Sequence, residues 1–338
     1  MSAEEEIIKG LEKVLVPGTE YNLVNLNLVR HIAISDGKVD IVLASAALNK
    51  EARNWIKAQV SEINEKIPGV RETIISFVEA KPEQINEIQR VVAVMSGKGG
   101  VGKSLVTGLI ALSLARRGHK VGILDADITG PSIPRMFGVT ARPLGSDTGI
   151  LPVLSRVGIE IMSINLLLSN EDDAVIWQGS AIAGTIKQFW EEVLWGRLDY
   201  LLVDLPPGTS DASLTVMQSL PLSEVIIVFS PQDLTIMVVR KAVQMIKKMD
   251  IPILGVVENM SYFLLPDSGK RIDLFGSSKG QEMSRTTGAP LLGQIPVDPE
   301  LAGLCDEGSL ELYDSVVLQT FAENVVQALS VVRSMKKA

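Results

Sequence analysis

Residues 96–104 run Ser96-Gly97-Lys98-Gly99-Gly100-Val101-Gly102-Lys103-Ser104 and connect two apolar segments of different pattern. The residues before them, 91–95, are apolar and mostly β-branched, which predicts a buried strand. Residues 105–117 predict a helix. A phosphate-binding loop needs this order of strand, glycine-rich turn and helix. Gly97, followed after four residues by Gly102-Lys103-Ser104, has the required G-x-x-x-x-G-K-S/T spacing.

Each residue type in this loop suits a nucleotide phosphate. The glycines let the backbone curl so that successive N–H groups point at phosphate oxygens. Lys103 supplies positive charge near the β- and γ-phosphates, and the Ser104 hydroxyl can bind Mg²⁺. The start of the following helix adds a partial positive charge. The predicted nucleotide-binding residues of the loop are Gly97, Lys98, Gly99, Gly100, Val101, Gly102, Lys103 and Ser104.

Lys98 is a second lysine inside the loop. One hypothesis is that it crosses a dimer interface to the nucleotide of a partner subunit, as an arginine finger does. The other is that it is a solvated lysine on the shoulder of the loop. The residues alone leave both hypotheses open.

Composition and charge limit the classes of function. The formal net charge of −8 argues against a broad nucleic-acid-binding face. The single cysteine, Cys305, rules out a disulfide within the chain and fits a reducing compartment. The N-terminus is acidic and has no signal-peptide apolar region, and every apolar run is shorter than the ~18 residues of a membrane span. We expect a cytoplasmic protein without a nucleic-acid partner or a membrane span.

The pattern divides the chain into a small N-terminal α/β domain (1–80), a polar linker (81–90) and a larger domain (91–338). The small domain is predicted to contain a helix at 4–15, strands at 28–35 and 38–44 joined by Asp36-Gly37, a helix at 49–66 and a strand at 70–78. In the second helix, Trp55, Val60 and Ile63 are expected to face inward.

From residue 91 onward, predicted strands and helices alternate. The strands, after 91–95, lie at 120–124, 159–168, 198–203, 225–229, 253–257 and 289–292. The helices, after 105–117, lie at 180–193, 211–220, 234–249, 277–286 and 312–333. The strands are continuous Val/Ile/Leu runs, which are typical of a parallel sheet. We predict a doubly wound, mostly parallel α/β domain whose ligands bind beyond the carboxyl ends of the strands.

Aspartates follow two of these strands. Asp204 comes directly after the strand at 198–203, which is the Walker B position of a P-loop protein, where it would hold Mg²⁺ through water. The alternative role of such an aspartate is to cap a helix. Asp127, two residues after Asp125, is a candidate for positioning the attacking water, or else a turn-forming residue before Gly130-Pro131.

Five motifs, in family order over residues 91–338, resemble those of one protein family. The loop at 97–104 is similar to the deviant Walker A motif of the MinD/ParA/nitrogenase-iron-protein class. Four further segments resemble the Mrp/ApbC branch of that class: 125–134 (DADITGPSIP), 204–209 (DLPPGT), 258–263 (ENMSYF) and 295–299 (IPVDP). Residues 1–80 resemble the small domain that precedes the ATPase in many Mrp proteins.

The resemblance implies an ATPase that sandwiches nucleotide in a homodimer and carries an iron–sulfur cluster to apoproteins. It implies that Lys98 acts in trans, that Lys103 and Asp127 complete the catalytic set, and that Asp127 orients the hydrolytic water. It also implies that the adenine and ribose are surrounded by Asn259, Pro296 and Asp298.

The sequence departs from the family at the cluster ligands. Relatives carry a C-P-x-C element after Ser-Tyr-Phe, whereas this chain has Leu265 and Ser268 at the two cysteine positions. A cubane cluster takes four thiolates, and a homodimer of this chain has only its two copies of Cys305, which we interpret as a small apolar core residue. The alternative hypothesis is therefore a cluster-free nucleotide switch of the MinD/ParA class that acts through a protein partner.

Overall fold

The computed structural model of this chain describes residues 3–128, 130–168, 179–209 and 211–335. Residue 129 of the segment 125–134 lies outside the described residues. The chain divides into two compact units. The first contains Met1–Ile88, Pro143–Pro152 and Gln188–Leu198, and the second contains Gln89–Arg142, Val153–Lys187 and Asp199–Ala338. The first unit thus combines the N-terminal residues with two segments from much later in the sequence.

The N-terminal part of the first unit is a small sheet with helices. Its helices are α1 (Ala3–Leu11), α2 (Lys50–Asn64) and α3 (Pro82–Ile85), and its strands are β1 (Val29–Ser35), β2 (Lys38–Ala44) and β3 (Glu72–Val78). The strand order is β1-β2-β3, with β1 antiparallel and β3 parallel to β2. Asp36 (φ 50°) and Gly37 (φ 80°) form the tight turn expected between β1 and β2.

Two details of this unit differ from the sequence predictions. In α2 the buried positions are Ala52, Ile56, Val60 and Asn64, which lie four residues apart on one face. Trp55 lies at the flank of that stripe and is 41% exposed, so the expectation that it faces inward is wrong. Helix α1 ends at Leu11, four residues earlier than predicted, because the chain leaves the helical path with a bond from Val14 N–H to Leu11 O (3.2 Å).

The two later segments of the first unit pack closely on its N-terminal residues. The Thr148 hydroxyl donates to Ser45 O (3.2 Å), and the Arg197 N–H donates to Asn25 O (3.0 Å). Gly196 has φ 63°, and a Cβ at this position would collide with the backbone of Asn25 and Leu26. Glycine is therefore required where this late segment meets the N-terminal residues.

The strands and helices from residue 87 onward include β4, which begins inside the predicted linker. The strands are β4 (Glu87–Ser96), β5 (Val121–Asp125), β6 (Gly145–Ser146), β7 (Gly149–Ile150), β8 (Val153–Leu154), β9 (Glu160–Ser163), β10 (Arg197–Asp204), β11 (Glu224–Phe229), β12 (Ile253–Glu258), β13 (Phe263–Leu264), β14 (Arg271–Ile272) and β15 (Leu291–Gln294). The helices are α4 (Lys103–Ala115), α5 (Ile133–Met136), α6 (Gly179–Glu192), α7 (Asp211–Ser219), α8 (Asp233–Lys248), α9 (Gly280–Thr287), α10 (Pro299–Asp306) and α11 (Val316–Met335).

The large sheet has the order β15-β12-β11-β4-β10-β5-β9-β8 within the described residues. Its pairs β15–β12, β12–β11, β11–β4, β10–β5 and β5–β9 are parallel, and β8 is an antiparallel edge strand. The predicted doubly wound, mostly parallel α/β fold with a separate small N-terminal sheet is confirmed. Among the described helices, none is both long and apolar enough to cross a bilayer.

In two segments of the larger unit the secondary structure differs from the sequence prediction. The predicted strand at 159–168 is shorter: β9 covers Glu160–Ser163, and Ile164–Leu167 forms a 3₁₀ turn. Helix α10 was missed, although Asp298 followed by Pro299 is a helix-start signal. Asp298 accepts hydrogen bonds from Glu300 N–H (2.9 Å) and Leu301 N–H (3.4 Å), which caps α10.

Candidate functional site

The glycine-rich loop leaves the end of β4 and enters α4. Gly100 (φ 77°) and Gly102 (φ 76°) adopt the left-handed backbone conformation that favours glycine. A Cβ on Gly102 would also collide with Nδ2 of Asn259. Among the described residues no side chain caps the start of α4 at Gly102, so its first-turn N–H groups suit an anion.

A buried ionic cluster lies directly behind the loop. Lys103 Nζ is 2.6 Å from Asp204 Oδ2, and the two residues are 5% and 0% exposed. The Ser104 hydroxyl donates to the same Oδ2 (2.6 Å), while the Thr107 hydroxyl donates to Oδ1 (2.7 Å). One turn of α4 therefore supplies three donors to one carboxylate at the end of β10. Such a buried charge is tolerable because it is paired and its oxygens are hydrogen-bonded.

The Asp127 carboxylate lies at the edge of this cluster. Its Oδ2 is 3.8 Å from Lys103 Nζ, and its carbonyl oxygen accepts from Gly130 N–H (3.2 Å). Both roles considered for Asp127 are thus compatible with its position: the side chain is directed to the loop lysine, and the backbone forms a turn.

Asp125 is a second buried carboxyl group beside the cluster. Its oxygens accept from Asp127 N–H (3.2 Å), Ile133 N–H (3.3 Å) and the Ser163 hydroxyl (3.2 Å). Burial, and then the neighbouring charge of Asp204, raise the pKa of Asp125 to about 8, against the opposing effect of Lys103.

Asn259 and Glu258 connect the loop to segments near the sheet edge formed by β15. Asn259 Nδ2 donates to Val101 O (2.9 Å) inside the loop. Glu258 is fully buried, and its carboxylate accepts from four groups: the Ser261 hydroxyl (2.6 Å), the Ser278 hydroxyl (2.7 Å), Lys279 N–H (2.6 Å) and Gln294 Nε2 (2.7 Å). Two adjacent residues at the end of β12 thus hold the phosphate loop and three further segments.

The remaining predicted nucleotide-binding residues have defined surroundings. Lys98 is partly exposed, and its Nζ donates to Gln232 Oε1 (2.7 Å) within the same chain. Pro296 is buried. Asp298 Oδ2 accepts from the Tyr313 hydroxyl (2.8 Å), and partial burial raises the pKa of Tyr313 to about 12.

Leu265 and Ser268, which the sequence comparison above places at expected cysteine positions, lie in a tight turn between β13 and β14. Leu265 O accepts from Ser268 N–H (3.3 Å) and Gly269 N–H (2.8 Å). Cys305 lies elsewhere, in α10, packed beside the hydrophobic core. Burial, and then the charge of Asp306, raise the pKa of the Cys305 thiol to about 11, so little thiolate is available near neutral pH.

Oxygen donors at the loop suit a hard cation. The Ser104 hydroxyl and the Asp204 carboxylate are in direct contact, and both are ligand types that Mg²⁺ prefers. Among the described residues no group of three or more His, Cys, Asp or Glu side chains forms a metal site. A cation here would therefore take most of its ligands from phosphate and water.

Sequence reasoning missed several members of this site. Thr107 was detectable, because it lies three residues after Ser104 and hence on the same face of α4. Asp125 was noted only as a strand-end residue, and Glu258 only as part of a motif. Gln232, the partner of Lys98, lies 134 residues away in sequence and left no local signal.

Comparisons with known proteins match both parts of the chain to protein families. The family model of the NUBPL iron-transfer P-loop NTPases matches residues 87–331. A second family model, described as iron–sulfur cluster assembly protein, matches residues 4–77.

Individual relatives cover most of the chain. An iron–sulfur cluster carrier protein of Synechocystis is 36% identical over 321 residues, 91% of each chain. One of Clostridium perfringens is 45% identical over 234 residues, 67% of this chain and 82% of the relative. A solved nucleotide-binding protein of Archaeoglobus fulgidus, in complex with ADP, is 47% identical over 69% of this chain and 92% of its own, with a TM-score of 0.63.

The raised pKa of Asp125 predicts a pH-dependent stability. Between about pH 4 and about pH 8 the folded protein keeps a proton that the unfolded chain has released, so the free energy of unfolding falls as pH rises through this range. Asp125→Asn removes this dependence. In urea unfolding without nucleotide, the variant's advantage over wild type should grow from about pH 5 to about pH 8 and then level off.

The control for this experiment is Asp267→Asn, which removes an exposed carboxylate. Any part of the difference in unfolding free energy between wild type and Asp125→Asn that does not change with pH reports only the local effect of the amide. A difference that stays constant, or shrinks, over that pH range contradicts the prediction.

Proposed function

This chain belongs to the NUBPL iron-transfer P-loop NTPase family, and on that basis we propose that it binds Mg·ATP at residues 97–104 and hydrolyses it slowly. The observation that carries the proposal is the buried cluster of Lys103, Ser104, Thr107 and Asp204 behind the loop. It presents one lysine charge and one hydroxyl–carboxylate pair where the triphosphate and its cation would meet. We also propose that the protein works in the cytoplasm.

Each residue has a distinct part in the proposed reaction. The loop N–H groups and Lys103 bind the β- and γ-phosphates. Mg²⁺, held by Ser104 and through water by Asp204, would neutralise phosphate charge. Asp127, 3.8 Å from Lys103 Nζ, is near enough to the phosphate position to orient the attacking water. Asn259, Pro296 and Asp298 surround the adenine and ribose.

We further propose that a homodimer forms around the nucleotide and that Lys98 reaches the nucleotide of the partner subunit. In this proposal Lys98 exchanges its contact with Gln232 for a phosphate. The partly exposed position of Lys98 supports this, since no buried contact has to be broken. The nucleotide then controls the association of the two subunits.

The family carries iron–sulfur clusters, and delivery of a cluster to an apoprotein client is the leading proposal for this chain. The alternative, a cluster-free switch that binds a protein partner in its ATP form, is favoured by one specific observation. Leu265 and Ser268 offer no thiolate, and the Cys305 thiol is partly buried, with its pKa raised to about 11.

Lys103→Ala tests the nucleotide site. The substitution removes the main countercharge of the phosphates and leaves Asp204 as a buried, uncompensated anion that repels them. ATP affinity measured by calorimetry should fall at least about 100-fold. Lys98→Ala removes a charge from the same loop and is the matched control, which should still bind ATP. Unchanged affinity in a folded Lys103→Ala protein contradicts the proposed site.

Mixed dimers test whether Lys98 acts in trans. Lys98→Ala and Asp127→Ala subunits should each hydrolyse ATP slowly alone, because each homodimer lacks one group at both sites. A mixed dimer has one site with both groups, and its rate should recover to about half that of wild type. No recovery in dimers shown to be mixed by tag purification contradicts the trans role.

Restoring the two cysteines tests the cluster proposal. The turn that joins Leu265 O to Ser268 N–H brings these positions together, so Leu265→Cys/Ser268→Cys would place two thiolates on one turn. After anaerobic reconstitution with iron and sulfide, the double variant should hold about four irons per dimer and wild type close to none. A stoichiometric cluster in the wild-type protein would contradict the cluster-free alternative. A wild-type protein that stays close to empty favours the alternative, whether or not the double variant takes up iron.

A further inference from the structure

A cavity of about 370 Å³ lies in the second unit, at the sheet edge formed by β15. It is bounded by β15, by the first turns of α11 and by Tyr262 and Arg271 at the hairpin of β13 and β14. This volume falls in the range of sites that bind small ligands or short segments of other molecules. None of its lining residues is among those predicted to bind nucleotide.

One side of the cavity offers an oriented cation. The Arg271 guanidinium lies 4.2 Å from the centre of the Tyr262 ring, and its Nε donates to Asp273 Oδ1 (3.0 Å). These two contacts fix the plane of the guanidinium and leave its two terminal NH₂ groups as donors. A pair of parallel donors on a planar cation matches the two oxygens of a carboxylate.

A second side offers two oriented acceptors. The Gln294 amide nitrogen donates to Glu258 Oε2 (2.7 Å) and to the Ser278 hydroxyl (2.5 Å), and the Asn324 amide nitrogen donates to Leu292 O (2.9 Å). Gln294 Nε2 uses both of its N–H groups and Asn324 Nδ2 uses one, so Gln294 Oε1, Asn324 Oδ1 and one Asn324 N–H remain for a ligand. A ligand that satisfies the two oxygens must carry hydrogen-bond donors, and the N–H groups of a peptide backbone are such donors.

The rest of the lining is apolar and includes Leu291, Val317 and Phe321. The complementary ligand thus combines a carboxylate, N–H donors and an aliphatic side chain, which are the groups of an extended peptide. We infer that this cavity binds a short peptide segment of a partner protein, with its carboxylate on Arg271 and its backbone N–H groups on Gln294 and Asn324. The carboxylate comes from a chain terminus or from an acidic side chain.

Three dipeptide probes test the inference on the full-length protein. Acetyl-Leu-Leu has a free terminal carboxylate, acetyl-Leu-Asp-amide has only a side-chain carboxylate, and acetyl-Leu-Leu-amide has none. At least one of the two acids should bind with a Kd of about 1 mM or tighter by NMR titration, and the neutral amide at least about tenfold more weakly. The acid that binds identifies the source of the carboxylate.

Two variants and two matched controls locate the binding. Arg271→Ala removes the cation, and Thr320→Trp fills the cavity from an exposed position of α11, so each should weaken binding at least about tenfold. Lys270→Ala removes a neighbouring charge and Gln319→Trp adds a neighbouring indole, both outside the cavity lining, and both should bind as wild type does.

All four variants should keep the wild-type melting temperature and ATP affinity, because none of the changed residues contacts the phosphate loop. The inference is overturned if neither acid binds, if the neutral amide binds as tightly as the acids, or if the Arg271→Ala and Lys270→Ala proteins bind equally well. Should Arg271→Ala fail to fold, Thr320→Trp against Gln319→Trp decides the question alone.

Discussion

The ion pair between Lys103 and Asp204 is the contact on which the site depends. A charged lysine and a charged aspartate are buried together, and each would be strongly destabilising without the other. The pair joins the first residue of α4 to the last residue of β10, so the loop between β4 and α4 must curl in front of it. Ser104 and Thr107 then donate hydrogen bonds to the same carboxylate. The end of the phosphate loop is therefore positioned by Asp204, a residue about 100 positions later in the chain.

A second buried carboxylate extends this organisation across the sheet. Glu258 ends β12, next to β15 at the sheet edge, and gathers donors from three separate segments. Its neighbour Asn259 holds the backbone of the loop. A chain of contacts therefore runs from Val101 through Asn259 and its neighbour Glu258 to Gln294, which lines the edge cavity.

Much of this arrangement was predictable because its signals lie within short stretches of the sequence. The spacing of Gly97, Gly102, Lys103 and Ser104, the apolar runs of the parallel strands and the Asp36-Gly37 turn each act over a few residues, and the confirmed fold follows from them. The failures have a different cause. Trp55 lies at the edge of the buried face of its helix, where the apolar pattern alone does not decide whether a side chain is exposed. Helix α1 ends at Leu11 in a turn that its apolar pattern does not predict. Gln232 meets Lys98, and Glu258 collects Ser278 and Gln294, only through tertiary packing, which leaves no periodic signal in the sequence.

The discontinuous make-up of the first unit has a consequence for how this protein is synthesised. Its small sheet is complete once residue 78 has been made, but the segments that contain Thr148 and Gly196 pack on Ser45, Asn25 and Leu26. At ribosomal speeds of about 5–20 residues per second, some 5–20 seconds separate residue 88 from residue 198. Until residue 152 has been made the nascent N-terminal residues lack both of these packing partners, and until residue 198 they lack the second. Folding of the first unit can thus be completed only after residue 198 has been made, long after the strands of its small sheet.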